Sequence, residues 1–117
     1  MKLIGAQGEQ LVATYLQKQG FIILARNFYI RGGEIDLIAR KKNILVFVEV
    51  KSRSTQYFNT SEVITLSKQK KIILTAKYFL SQNTQLDDTI YRFDVALVNA
   101  FNQKITYIPN AFTASYE

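Results

Sequence analysis

Three charged residues, Asp36, Glu49 and Lys51, stand in segments that are otherwise built for burial. Asp36 lies within EIDLIAR, and the other two close ILVFVEVK, a run rich in the branched and aromatic residues that favour β-strands. Because strand side chains alternate between faces, Glu49 and Lys51 share one face. The chemistry that fits is phosphodiester hydrolysis, in which an oxygen-ligated Mg²⁺ polarises the phosphate and lowers the pKa of a bound water.

The alternation of apolar residues predicts how these two strands pair. A slip of one residue would bury carboxylates among valines, so the apolar residues of both strands are expected on one face: Ile35, Leu37, Ala39, Val46, Val48 and Val50. The charged residues then fall together on the opposite face: Glu34, Asp36, Glu49 and Lys51. A two-residue turn at Lys42 and Asn43 places Asp36 across from Glu49, whereas a four-residue turn places Glu34 there.

A cross-strand ion pair of Lys51 with Glu34 or Asp36 is the structural alternative. It sets one positive charge against three negative ones, and carboxylates this close repel each other at a cost that burial increases. A divalent cation removes the difficulty. The pattern therefore predicts a metal site with Asp36 and Glu49 as ligands and Glu34 beside them. Lys51 would position the attacking water or stabilise the charge that builds on the phosphate.

The composition narrows the kind of metal. The chain has no cysteine and no histidine, which excludes disulfides, histidine bases and the usual zinc sites. Any metal must be held by oxygen, as suits Mg²⁺, Mn²⁺ or Ca²⁺, and Mg²⁺ or Mn²⁺ is the cofactor we expect. With 117 residues, no signal-peptide pattern and no apolar run long enough to span a membrane, we expect one cytoplasmic domain over residues 1–117.

The net charge of +6 at pH 7 is concentrated between residues 40 and 80. We call this the basic segment, and its basic residues are Arg40, Lys41, Lys42, Lys51, Arg53, Lys68, Lys70, Lys71 and Lys77. Such a segment can attract a polyanion such as nucleic acid, although a role in solubility alone is an equally good interpretation.

The periodicity predicts the elements that position these residues. An α/β domain around a largely antiparallel or mixed sheet is expected, in the order α-β-β-β-α-β-β. Thr60 or Ser61 could cap the second helix. The predicted ranges are a helix over 4–19, strands over 21–30, 34–40 and 44–51, a helix over about 62–80, and a closing hairpin over 90–100 and 104–109.

GGEIDLIA followed by VFVEVKSR resembles the PD-(D/E)xK nuclease signature, with Asp36 as the aspartate and Glu49 and Lys51 as the Glu-x-Lys. The wider set GxxGE, RN, GEIDLIA, FVEVKSR, SKQKK and RFDV looks like the YraN-like family of small bacterial proteins, which is similar to archaeal Holliday-junction resolvases. That resemblance implies a restriction-endonuclease-like core, with a mixed five-stranded sheet flanked by two main helices. It also implies a divalent metal, branched or structured DNA as substrate and, in many members, a homodimer.

The same resemblance assigns roles to further residues. Glu9 matches the helical glutamate that completes such sites through bound water, although an exposed helix glutamate is the alternative. Lys68 and Gln69 match a helix position with supporting polar groups, and Arg92 with Asp94 is best interpreted as a structural ion pair. The side chains expected to bind nucleic acid are Lys42, Arg53, Lys68, Gln69 and Lys71.

Three functions of different kinds follow from these patterns. The first is a metal-dependent endonuclease acting on branched DNA. The second is a nucleic-acid-binding module that keeps the fold but does not cut, and a scaffold within a DNA-processing complex is a third. The clustered carboxylates favour the first, because a protein that only binds phosphate gains nothing from them.

Overall fold

The computed structural model describes residues 5–53 and 64–114. The predicted order α-β-β-β-α-β-β is confirmed. The elements are α1 (Gly5–Lys18), β1 (Ile22–Ile30), β2 (Gly33–Lys41), β3 (Ile44–Arg53), α2 (Leu66–Ser81), β4 (Ile90–Asn99) and β5 (Ile105–Phe112), and a short 3-10 helix (Thr84–Leu86) precedes β4. Within these ranges, no helix is long and apolar enough to cross a membrane.

The five strands form one mixed sheet in the order β1-β2-β3-β4-β5. Neighbouring strands are antiparallel except β3 and β4, which run parallel over ten paired positions from Ile44 with Ile90 to Arg53 with Asn99. Parallel neighbours need a crossover connection, and α2 lies in the connection between these two strands. This α/β arrangement is consistent with the restriction-endonuclease-like core.

One helix covers each face of the sheet. The core on the α1 side contains Val12, Ala13, Leu16, Leu37, Ala39, Val46, Val48, Ala96 and Val98. The core on the α2 side contains Ile35, Ile38, Leu45, Phe47, Ile72, Ile73, Ala76, Phe79, Leu86 and Phe93. Because β3 supplies side chains to both cores, its sequence is a nearly continuous apolar run up to Glu49.

The predicted face of Ile35 is wrong. Alternation placed it with Leu37 and Ala39, and these two residues do pack on the α1 side as expected. Ile35 instead belongs to the core on the α2 side. The alternation of β2 is therefore interrupted between Ile35 and Leu37, at Asp36.

The neighbouring strand β1 is interrupted at the same level. Ala25 and Phe28 lie three residues apart, yet both pack against the core on the α2 side. Between them, Asn27 has a φ of 50°, in the left-handed region that asparagine tolerates better than most residues. The register places Asn27 opposite Asp36, so both strands lose their alternation together at this level.

The start of α2 also differs from the prediction. The expected caps, Thr60 and Ser61, lie outside the described residues, and the helix begins at Leu66. Its cap is Thr65, whose Oγ1 accepts a hydrogen bond from the backbone N–H of Lys68 at 3.2 Å. Several hydroxyl residues before the helix have suitable capping chemistry, so side-chain type could not decide which of them caps it.

Candidate metal and nucleic-acid site

Asp36 lies where β2 and β3 separate. Backbone pairing between these strands ends at Leu37 and Val48, although both strands continue beyond that level. There, Oδ2 of Asp36 accepts a hydrogen bond from the backbone N–H of Val50 at 2.8 Å. The carboxylate of Asp36 accepts the backbone N–H that a carbonyl of β2 would accept if the strands stayed paired. This bond fixes the carboxylate in the gap between the strands.

Glu49 immediately precedes Val50 on β3 and lies at the same gap, on the side of the sheet that α2 covers. The pairing of Lys41 with Ile44 confirms the two-residue turn, so Asp36 occupies the register position opposite Glu49. Glu49 is only 6% exposed, and its Oε2 lies 3.0 Å from Nζ of Lys68 on α2. Burial and the charge of Asp36 raise the pKa of Glu49 to about 7, against the opposing effect of Lys68. The nearby positive charge therefore compensates these carboxylates incompletely.

Glu9 approaches Asp36 from the α1 side. Burial and the charge of Asp36 raise the pKa of Glu9, while a hydrogen bond with the side chain of Asn27 lowers it. Helix α1 lies close to β3 here, as Gly8 shows. This glycine is buried, and a Cβ added to it would stand 2.8 Å from Oγ of Ser52. Asn27 is a site residue that sequence reasoning missed, although it belongs to the RN motif quoted above.

Asp36 interacts electrostatically with both other carboxylates, because its charge raises the pKa of Glu9 and that of Glu49. Within residues 5–53 and 64–114, no three acidic side chains converge closely enough to enclose a metal ion. Mg²⁺ commonly takes only one or two carboxylates from a protein and fills its other positions with water and substrate phosphate. The donor pair Asp36 and Glu49 fits that preference.

Lys51 is half-buried and follows Glu49 by two residues, with its backbone paired opposite Leu97 of β4. The alternative ion pair of Lys51 with Glu34 or Asp36 is not formed in the described part of the chain. The ammonium that meets Glu49 is that of Lys68 instead. Lys51 is therefore not used to neutralise the carboxylates.

The predicted nucleic-acid residues do not all lie together. Lys68 and Lys71 are one turn apart on α2, beside the carboxylates, and Arg53 ends β3 two residues after Lys51. Lys42 is in the turn at the other end of the hairpin. It is six positions along the chain from Asp36, which is about 20 Å in an extended strand. Lys42 is thus too far to contact the phosphate that the carboxylates would act on.

Two further groups have structural roles. Gln69 donates a hydrogen bond from Nε2 to the carbonyl of Ile64 at 3.1 Å, which holds the residue just before the cap of α2. The predicted ion pair is confirmed: Nε of Arg92 lies 3.0 Å from Oδ1 of the fully buried Asp94. The hydroxyl of Tyr107 also donates to Asp94, at 2.5 Å.

The fold defines the class of the protein, an α/β protein whose mixed sheet and two helices are consistent with the restriction-endonuclease-like core. Residues 8–98 match the model of the family described as "Uncharacterised protein family UPF0102", and the chain belongs to this family. The resemblance to the YraN-like family is thereby confirmed.

Similar proteins share nearly the whole chain. A UPF0102 protein of Geobacter metallireducens is 42% identical over 118 residues, which cover 98% of this chain and 96% of the relative. One from Saccharophagus degradans is 44% identical over 110 residues, covering 93% and 92%. One from Lachnoclostridium phytofermentans is 45% identical over 114 residues, covering 97% and 95%.

Proposed function

We propose that this protein is a cytoplasmic, Mg²⁺- or Mn²⁺-dependent endodeoxyribonuclease that hydrolyses phosphodiesters in branched or structured DNA. The observation that carries the proposal is the pair of carboxylates at the separation of β2 and β3. Asp36 is fixed by the N–H of Val50, and Glu49 is held beside it with 6% exposure. Keeping two carboxylates this close, one of them buried, costs free energy that a bound cation would recover.

The carboxylate oxygens of Asp36 and Glu49 would hold the cation. Mg²⁺ bound there would supply Lewis-acid polarisation of the phosphate. The bond from Val50 engages Oδ2 of Asp36, so Oδ1 would be the oxygen that binds the cation. Glu9, on the other side of Asp36, can accept a proton from water, because burial has already raised its pKa.

Lys51 supports the chemical step in this proposal. Its backbone is fixed by pairing with β4, and strand alternation directs its side chain to the face that carries Glu49. An ammonium at this position can orient the attacking water or stabilise the charge that develops on the phosphate. Removing a contact of that kind typically lowers a rate about 10²- to 10³-fold.

A second candidate function is a nucleic-acid-binding module that does not cut. The observation that favours it is the ion pair between Lys68 and Glu49, at 3.0 Å, which already places a positive charge on one of the two metal ligands. Binding of phosphates to the basic segment needs no metal in this case. In a nuclease, the ion pair between Lys68 and Glu49 must break before Glu49 can bind a cation. In a module that only binds nucleic acid, this ion pair can stay intact.

A gel-based cleavage assay beside a binding assay separates the two functions. The substrates are a four-way junction and a flap, each with Mg²⁺ or with EDTA. We expect cleavage by the wild type in Mg²⁺, and its loss in Asp36→Asn and Lys51→Ala with junction binding largely preserved. Lys104→Ala, an exposed lysine of the β4–β5 turn, is the matched control and should cut normally.

Three results would each count against the nuclease proposal or against one part of it. Cleavage by Lys51→Ala at the wild-type rate would remove Lys51 from the mechanism. Salt-sensitive binding by a wild type that cuts no branched, flapped or single-stranded substrate would favour the non-cutting module. Equal Mn²⁺ binding by wild type and Glu49→Ala, measured by calorimetry, would show that the carboxylate pair is not the metal site.

A further inference from the structure

An open cavity of about 540 Å³ lies beside the carboxylates, between the β1–β2 turn and the first half of α2. Tyr29 and Glu34 line it from the hairpin, and Lys68 and Lys71 line it from the helix. Lys68 also pairs with Glu49, so the cavity and the carboxylate site share a wall. Its volume is in the range of pockets that hold one small ligand.

The cavity is preformed, because the turn is fitted tightly against α2. A Cβ on Gly33 would collide with Oγ1 of Thr75 and would lie 2.7 Å from the carbonyl oxygen of Lys71. The same carbonyl accepts a hydrogen bond from the buried Thr75 hydroxyl at 2.7 Å, so this part of the helix is fixed as well. A ligand would therefore find the two walls already in place.

Tyr29 is the unusual member of the lining. Its neighbour Phe28 packs against Tyr78 and Phe79 of α2, which anchors the strand. Tyr29 itself is 75% exposed, and its ring stacks on no other ring in the part of the chain that the structure describes. An exposed aromatic face at a cavity that also carries two lysines is the combination that binds single-stranded nucleic acid, where bases stack on rings and phosphates meet ammonium groups.

We infer that this cavity receives one unpaired nucleobase, which stacks on Tyr29 while an adjacent phosphate contacts Lys71. This inference rests on the proposed function and names its substrate class: DNA with an unpaired nucleotide next to the phosphate that is cut. A base within a duplex cannot enter, because it is stacked on both faces and paired along its edge. Flaps, gaps and distorted branch points expose such a nucleotide at little energetic cost.

The test is binding of a single-stranded oligonucleotide of about ten residues that contains 2-aminopurine, whose fluorescence is quenched by stacking. The measurement is made in EDTA, so it requires neither metal nor cleavage. For Tyr29→Ala we expect affinity to fall about 5- to 150-fold, in the range of a single base stack, together with loss of quenching. Because Tyr29 is exposed, this variant should fold normally.

Two variants serve as controls. Tyr29→Phe keeps the ring and should bind and quench like the wild type. Phe101→Ala removes another exposed ring and should have no effect. Phe101 is 59% exposed and lies in the turn between β4 and β5, toward the sheet edge opposite β1. Unchanged affinity and quenching in Tyr29→Ala would overturn the inference. If the wild type quenches the fluorescence but cuts no DNA in the cleavage assay, the nucleotide site stands and the nuclease proposal is refuted.

Discussion

Replacing Glu49 with glutamine should stabilise the metal-free protein at pH 8. Burial and the charge of Asp36 raise the pKa of Glu49 from 4.5 to about 7 in the folded chain. Between these two values the folded chain binds more protons than the unfolded chain, so the free energy of unfolding falls as the pH rises through this window. Above this pH window, the free energy of unfolding has fallen by the full amount. Glutamine resembles the protonated acid and carries no charge to desolvate.

The magnitude follows from the shift in pKa. One unit corresponds to about 1.4 kcal/mol, so a change from 4.5 to about 7 corresponds to about 3 kcal/mol. Solvent screens Glu49 little at 6% exposure, whereas the side chain of Lys68 is 45% exposed, so its attraction is partly screened. We therefore expect Glu49→Gln to gain about 1–3 kcal/mol at pH 8 and almost nothing below about pH 4.5.

Urea denaturation in EDTA at several pH values between about 4.5 and 8 measures this difference. Glu34→Gln is the matched control, because it removes an exposed glutamate of the same hairpin and keeps Glu49. It should retain the decline in stability that the wild type shows. A loss of stability in Glu49→Gln that is equal at every pH would show that Glu49 is a structural partner of Lys68, and the argument from crowded carboxylates would be refuted.

Three further predictions concern folding and DNA binding. Asp36→Asn should leave metal-free stability unchanged or slightly higher, since the amide oxygen can still accept from Val50. A loss of about 3–5 kcal/mol on denaturation in EDTA, as the removal of a needed buried charge causes, would contradict this. Affinity for a DNA junction should fall about 500-fold between 50 and 200 mM salt if about five phosphates meet the basic segment, and a salt-independent affinity would exclude that contact. Asp94→Ala should destabilise the protein by about 3 kcal/mol or more in the same denaturation assay, because it strips the buried partner from Arg92 and Tyr107; a loss below about 1 kcal/mol would contradict this role.

The sequence by itself determined the pairing of β2 with β3. Apolar rows that alternate along both strands exclude a slip of one residue, which would bury charge, and leave two registers, one with a turn of two residues and one with a turn of four. The structure has the two-residue turn, which brings Asp36 opposite Glu49. The order of elements and the Arg92–Asp94 pair could be predicted for the same reason, because strand alternation relates residues that are close in sequence.

Only the tertiary structure decided which positive charge meets Glu49. Lys51 is near in sequence and shares the face, yet Lys68 forms the pair. The packing of α2 on the sheet sets that contact, and it depends on where the helix begins and how it lies, which local periodicity does not encode. The loss of alternation at Asp36 and Asn27 is likewise invisible in a regular apolar pattern. It arises because two strands separate at that level and a side chain, in place of a backbone carbonyl, accepts the N–H of Val50.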